Sequence, residues 1–120
     1  MSNTHSLNEL SFPDYCVTEM RIDHAARRAL FEMTGAWIAT GSLGGGELMI
    51  CGWETLHQRR YDMAEKTWVD IPLGKEEPLK DIPELLVDGD QIVMRGFGAI
   101  TGEWVELVAK GGKGEYRTRE

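Results

Sequence analysis

The segment 84–98, ELLVDGDQIVMRGFG, contains two apolar runs separated by Asp88-Gly89. An Asp-Gly pair between apolar runs favours a two-residue β-hairpin, because a type I′ turn requires positive φ at its central residues. Similar turn residues recur along the chain and separate about six to eight strand-like segments, spaced by about 8–12 residues. The pattern predicts a mainly β fold, either an antiparallel β-sandwich or a small barrel, with at most one short helix.

The length of 120 residues fits one domain. We predict an N-terminal arm over residues 1–14, with Leu10 and Phe12 packed onto the core, and a single β-rich domain over residues 15–110. Residues 111–120 are rich in glycine and charge and are predicted to form a polar tail or edge.

The segment YCVTEMRID alternates in polarity and predicts a half-buried strand. Its predicted faces place Cys16 with Thr18, Met20 and Ile22 on one side of the strand. Cys16 and Cys51 both lie inside apolar runs, which predicts buried free thiols, although the sequence does not determine whether they pair.

The next segment, 23–34, fits two structures. Asp23 as an N-cap and Gly35 past the end would bound a helix, and helix propensity favours it. The alternative is a hairpin with its turn at 24–27 and a strand that directs Ala29, Phe31 and Met33 inward. We favour the hairpin, because a strand precedes the segment directly and the β-like AWIAT follows it.

The charge balance narrows the class of partner. A net charge of -7 and a pI near 5.0 argue against nucleic acid, since phosphate binding needs a basic patch. An acidic surface serves solubility, and it also steers basic proteins. The N-terminus has no basic and apolar leader, and no apolar run reaches the ~20 residues that span a bilayer. We therefore expect a cytoplasmic protein with no membrane contact.

The segment RGFGAITGEW, residues 95–104, has the glycine content of a phosphate-binding loop. A dinucleotide-binding turn needs GxGxxG followed by a helix, whereas this spacing is GxGxxxG. The acidic Glu103 follows the last glycine, and EWVELVAK alternates as a strand. We predict that the segment is a hairpin connection between the last two long strands.

The other reactive residue types form no recognisable constellation. His5, His24 and His57 lack metal-ligand spacing, and Glu76-Glu77 is predicted to be a pair of solvated loop charges. Scattered carboxylates leave an enzyme of an unfamiliar type as an alternative. The prediction is a protein that is not an enzyme and holds no cofactor or metal.

Tryptophan next to glutamate marks the predicted contact residues. Tryptophan in a strand most often packs in the core, but it is also the residue most enriched in binding hot spots. In GWETL and GEWVEL it adjoins glutamates. The predicted partner-binding residues are Trp53, Glu54, Glu103, Trp104 and Glu106.

The YCVTEMRID strand, the GWE turn and the DGD, RGFG and GEW hairpins, between about residues 14 and 110, resemble small all-β bacterial immunity proteins. The resemblance implies an acidic protein that blocks the active site of a basic toxin, often a nuclease, and it implies no catalytic residue. The predicted function is non-catalytic protein binding. The alternatives are a small-ligand-binding β-barrel and a homodimeric domain.

Overall fold

A computed structural model describes residues 4–119. Within them the chain forms strands and one 3-10 turn at Leu7–Glu9. The strands are β1 Thr4–Ser6, β2 Phe12–Asp23, β3 Arg28–Met33, β4 Ala36–Ile38, β5 Gly41–Leu43, β6 Gly46–Cys51, β7 Thr55–Asp62, β8 Thr67–Ile71, β9 Asp81–Ile82, β10 Glu84–Asp88, β11 Gln91–Phe97, β12 Trp104–Lys110 and β13 Lys113–Thr118.

The strands form two packed antiparallel sheets and a small ribbon. The larger sheet has the order β1-β13-β6-β3-β2-β9, the second has the order β10-β11-β12-β7-β8, and β4 pairs with β5. Alternate residues of both sheets meet in one core that includes Phe12, Phe31, Met94, Leu107 and Tyr116. The prediction of a mainly β sandwich is confirmed.

The 23–34 segment is a hairpin, as the strand context favoured. Asp23 Oδ1 accepts a hydrogen bond from the backbone N–H of Ala26 at 3.0 Å, and Arg27 adopts a φ of 53° to close the turn. Ala29, Phe31 and Met33 are completely buried. Tertiary burial of this face therefore overrides the helix propensity of the alanines and arginines.

The predicted faces of β2 are wrong on one side of a β-bulge. The pairing with β3 shifts between Val17 and Glu19, so an extra residue reverses the alternation there. Tyr15 and Val17, instead of Cys16, pack against the core with Met20 and Ile22. Cys16 is exposed and Cys51 is partly exposed, so neither is fully buried as predicted, and the prediction is wrong for Cys16; both thiols are free.

The β10–β11 hairpin is present, but its turn lies one residue later than expected. Asp88 pairs with Gln91, which makes Gly89 and Asp90 the two turn residues. Among these two only Gly89 has a positive φ, 60°. That pattern belongs to a type II′ turn, which places glycine at the first central position.

Both ends of the described chain join the larger sheet. β1 pairs with β13, and β13 pairs with β6, so the predicted polar tail contributes an inner strand. Tyr116 of that strand is completely buried, and its hydroxyl donates to the Gly44 carbonyl at 2.8 Å. Burial raises the pKa of Tyr116 to about 12. Across residues 4–119, no helix has the length and hydropathy of a membrane-spanning segment.

Candidate functional surface

The five-stranded sheet has one face in the core and one face toward solvent. Ile92, Met94, Val105 and Leu107 point into the core, so the intervening residues of each strand point outward. Strand pairing aligns these outward residues in rows across the sheet. We call this outward surface the aromatic face.

The aromatic row crosses four strands. It consists of Phe97 on β11, Trp104 on β12, Tyr61 on β7 and Trp68 on β8. Phe97 and Trp104 meet edge to face with 5.1 Å between ring centroids, and Tyr61 and Trp68 do the same at 5.5 Å. Phe97 is 46% exposed, which is a large exposure for a phenylalanine in a strand.

The ion row lies beside the aromatic row. Its five members alternate in sign across the sheet: Glu84, Arg95, Glu106, Arg59 and Asp70. Arg59 Nε and Arg95 Nε each lie 2.8 Å from a different oxygen of Glu106, and Arg95 also reaches Glu84 at 3.2 Å. The Arg59 guanidinium lies 4.0 Å from the Trp68 ring centroid, which joins the two rows by a cation–π contact.

Glu106 is the centre of the ion row, and only 8% of its side chain is exposed. Burial alone would raise its pKa, but the hydrogen bonds and positive charges of Arg59 and Arg95 outweigh burial and hold the pKa of Glu106 below its ordinary value. The carboxylate therefore stays ionised, and the arrangement stores no proton for acid–base chemistry at neutral pH.

The lowered pKa predicts an acid-dependent loss of stability. In the unfolded chain Glu106 is protonated at its ordinary, higher pKa. The stabilisation of the fold by the Glu106 ion pairs is therefore complete above about pH 5, and it is lost as the pH falls through the folded-state pKa of Glu106. We expect Glu106→Gln to reduce the free energy of unfolding at pH 7 by about 2 kcal/mol. The difference from wild type should shrink progressively as the pH falls through the folded-state pKa of Glu106.

Urea titrations followed by tryptophan fluorescence at a series of pH values measure this difference. Glu84→Gln is the matched control, because Glu84 is an exposed member of the same row and contacts one arginine only. It should change stability by less than about 0.5 kcal/mol. If the loss of unfolding free energy in Glu106→Gln stays constant with pH, the stabilisation by the ion row does not depend on the charge of Glu106.

The predicted contact residues fall in different places. Trp104 and Glu106 lie on the aromatic face. Glu103 lies at the end of the same sheet, where its carboxylate pairs with Arg60 at 2.8 Å. Glu54 is exposed at the opposite end of the sheet, where its backbone N–H donates to Lys110. Trp53 is 3% exposed and packs in the core, so its ring is not part of an accessible surface.

Sequence reasoning missed most of the aromatic face. Tyr61 and Trp68 pair across β7 and β8, and Phe97 pairs with Trp104 across β11 and β12. The two-residue period of TLHQRRYD already places Arg59 and Tyr61 on one side of β7. The sequence does not contain the strand order, and the strand order is what joins the two aromatic pairs.

The 98–102 loop binds an anion, but the anion is the protein's own Glu77. That carboxylate accepts hydrogen bonds from the backbone N–H groups of Ile100 and Thr101 and from the Thr101 hydroxyl. Glu77 is 6% exposed, so the prediction of a solvated charge is wrong. Its backbone N–H and carbonyl also bind the buried side-chain amide of Gln58, at 2.7 and 2.8 Å.

The larger sheet presents a contrasting outward surface. Strand pairing places Glu19, Glu32 and Glu47 directly beside one another on β2, β3 and β6. We call these three residues the acidic row. Arg21 contacts Glu19 at 3.5 Å, and Arg117 is the cross-strand neighbour of Glu47. Adjacent like charges in a sheet are destabilising, so the acidic row lowers the stability of the sheet.

The two outward surfaces differ in chemistry. One combines aromatic rings with a row of paired charges, and the other carries three adjacent glutamates with an arginine beside each end of the row. Neither brings a nucleophile together with a base. The chain matches no protein-family model, no curated protein and no solved structure, so its function is inferred from these surfaces.

Proposed function

We propose that this chain is a non-catalytic, cytoplasmic protein-binding domain whose contact surface is the aromatic face. The observation that carries the proposal is the row of four aromatic side chains on the solvent side of the five-stranded sheet. If the outer face of this sheet had no binding role, polar residues could occupy the four aromatic positions without loss of core packing.

The composition of the aromatic face supports protein binding. Tyrosine, tryptophan and arginine are the residues most enriched in binding hot spots, and all three occur here side by side. Leu86, which is 48% exposed, and Val108 extend the apolar area on the other side of the ion row. Large exposed apolar patches on soluble domains commonly mark interaction sites.

The pairing of charges within the face also supports binding. Glu106 is already bound by two arginines, so covering it with a partner leaves no unpaired buried charge. The Arg59 and Arg95 side chains are held in place before any partner arrives, which reduces the entropy lost on association. The face is therefore preorganised for contact with another surface.

Site-specific photo-crosslinking in the producing cells tests this function. We expect benzoylphenylalanine in place of Phe97 to give a discrete adduct after irradiation, because the ring lies on the proposed contact surface. Thr40, exposed in the turn between β4 and β5, is the control position and should give none. Adduct yields at Phe97 no higher than at Thr40 would contradict the proposal.

The acidic row favours a second candidate function. Three adjacent glutamates on a flat sheet surface suit a basic partner, as in an immunity protein that blocks a basic toxin. Benzoylphenylalanine in place of Met49, which neighbours this row on β6, tests the candidate. An adduct with a basic protein from Met49, combined with none from Phe97, would favour the second candidate over the first.

A further inference from the structure

We propose that the aromatic face binds a second copy of this chain and that the protein is a twofold-symmetric homodimer. The inference rests on the proposed function, because it names the occupant of the same surface. It follows from the arrangement of charges and rings on β11, β12, β7 and β8, the four strands that share both rows.

The ion row is complementary to itself. Along these four strands the charges are positive at Arg95, negative at Glu106, positive at Arg59 and negative at Asp70. A twofold axis parallel to the strands and midway between β12 and β7 places β12 opposite β7 of the second copy, and β11 opposite β8. Each arginine then faces a carboxylate, because these four charges alternate in sign and the rotation reverses their order. Glu84, the fifth member of the ion row, lies on β10 outside the contact. Binding to an unrelated partner would not require the charges to reverse sign about an axis within this face.

The aromatic rings follow the same symmetry. The Phe97–Trp104 pair lies on β11 and β12, and the Tyr61–Trp68 pair lies on β7 and β8, so the proposed axis passes between the two pairs. The rotation places Phe97 opposite Trp68 of the second copy and Trp104 opposite Tyr61. A single axis therefore matches rings with rings and charges with opposite charges, as an isologous interface requires.

The rest of the molecule is compatible with this contact. The net charge of the chain is -7, but the acidic row lies on the opposite sheet and would point away from the interface on both copies. The four strands that overlap across this axis, at about seven residues each, give a contact of about 19 Å by 24 Å. That is on the order of 450 Å² per copy as a flat area, which places the contact among small interfaces.

Sedimentation equilibrium measures the association directly. We expect the wild-type protein at micromolar concentration to have twice the 13.5 kDa mass of one chain. Phe97→Glu should weaken the dimer by roughly 100-fold, because it places an unpaired charge against an aromatic ring of the second copy. The control is Leu73→Glu, which adds the same charge at a more exposed apolar residue, in the segment that follows β8 and outside both rows. This control should remain dimeric.

A charge-pair rescue tests the proposed axis. Trp68→Lys should also favour monomers, and mixing it with Phe97→Glu should restore a dimer that contains one new ion pair and one native Phe97–Trp68 contact. Circular dichroism verifies that each variant is folded. Two results would overturn the proposal: a monomeric wild-type protein, or a folded Phe97→Glu variant that dimerises as tightly as wild type. If Phe97 then crosslinks to a different protein, the dimer is excluded while the protein-binding function stands.

Discussion

Replacing Glu77 with alanine is expected to lower the free energy of unfolding by about 3 kcal/mol and the Tm by roughly 12 °C. The Glu77 carboxylate accepts bonds from two backbone N–H groups and one hydroxyl of the 98–102 loop, and alanine offers no acceptor. The loop connects β11 to β12. If the loop becomes disordered in the Glu77→Ala variant, the disorder also affects Phe97 and Trp104 of the aromatic row, which lie at the ends of these strands. Differential scanning calorimetry provides both quantities.

Two further substitutions separate this effect from a general effect of charge removal. Glu77→Gln keeps one acceptor oxygen and should lose less than half of the stability that Glu77→Ala loses. Glu65→Ala removes an exposed glutamate in the turn between β7 and β8 and should stay within about 0.5 kcal/mol of wild type. Equal losses for Glu77→Ala and Glu77→Gln would mean that the hydrogen bonds to the loop are not the cause.

Gly98 provides an internal check on the same contact. A Cβ added at Gly98 would overlap the Glu77 carboxylate, so Gly98→Ala should be strongly destabilising in the wild-type background. In the Glu77→Ala background the obstructing group is gone, and the same substitution should be nearly neutral. Additive effects in this double-mutant cycle would show that the two residues do not interact.

Gly96→Ala is expected to lower the free energy of unfolding by about 3 kcal/mol, at the upper end of the usual range for overpacking. Gly96 lies inside β11, and a Cβ there would overlap the backbone carbonyl oxygen of Asp81. That oxygen belongs to β9, which pairs with β2 of the larger sheet, so a shift would separate the two sheets locally. Urea denaturation measures the loss.

Gly89→Ala is the appropriate comparison for Gly96→Ala. Gly89 has a positive φ of 60° and open space around it, so alanine there meets only backbone strain of about 1–2 kcal/mol. The two glycines are in one hairpin and differ in what a methyl group would contact. A Gly96→Ala loss no larger than that of Gly89→Ala would refute the steric argument.

The fold was largely predictable, because alternation of polarity and turn residues are local properties. The β10–β11 hairpin and the inward residues of β3 follow from them directly. The β2 bulge does not, because one extra residue between Val17 and Glu19 leaves no mark in the alternation itself. That residue decides whether Cys16 or Val17 faces the core.

The candidate surface was predictable only in part, because it depends on contacts between distant segments. Trp104 and Glu106 were identified from their own neighbourhood in the sequence. Arg59 is 47 residues from Glu106 along the chain, and the pairing of β7 with β12 is what brings them together. Glu77 was misjudged for the same reason, since the donors that bind it lie more than twenty residues away.

The acidic row bears on how far association can proceed. In a face-to-face dimer, both larger sheets are directed outward, and each carries Glu19, Glu32 and Glu47. Growth into an open column would require two such rows to meet, and equal negative rows repel one another. We therefore expect the proposed assembly to stop at the dimer at low salt, and because salt screens the repulsion, high ionic strength should weaken this barrier to further stacking.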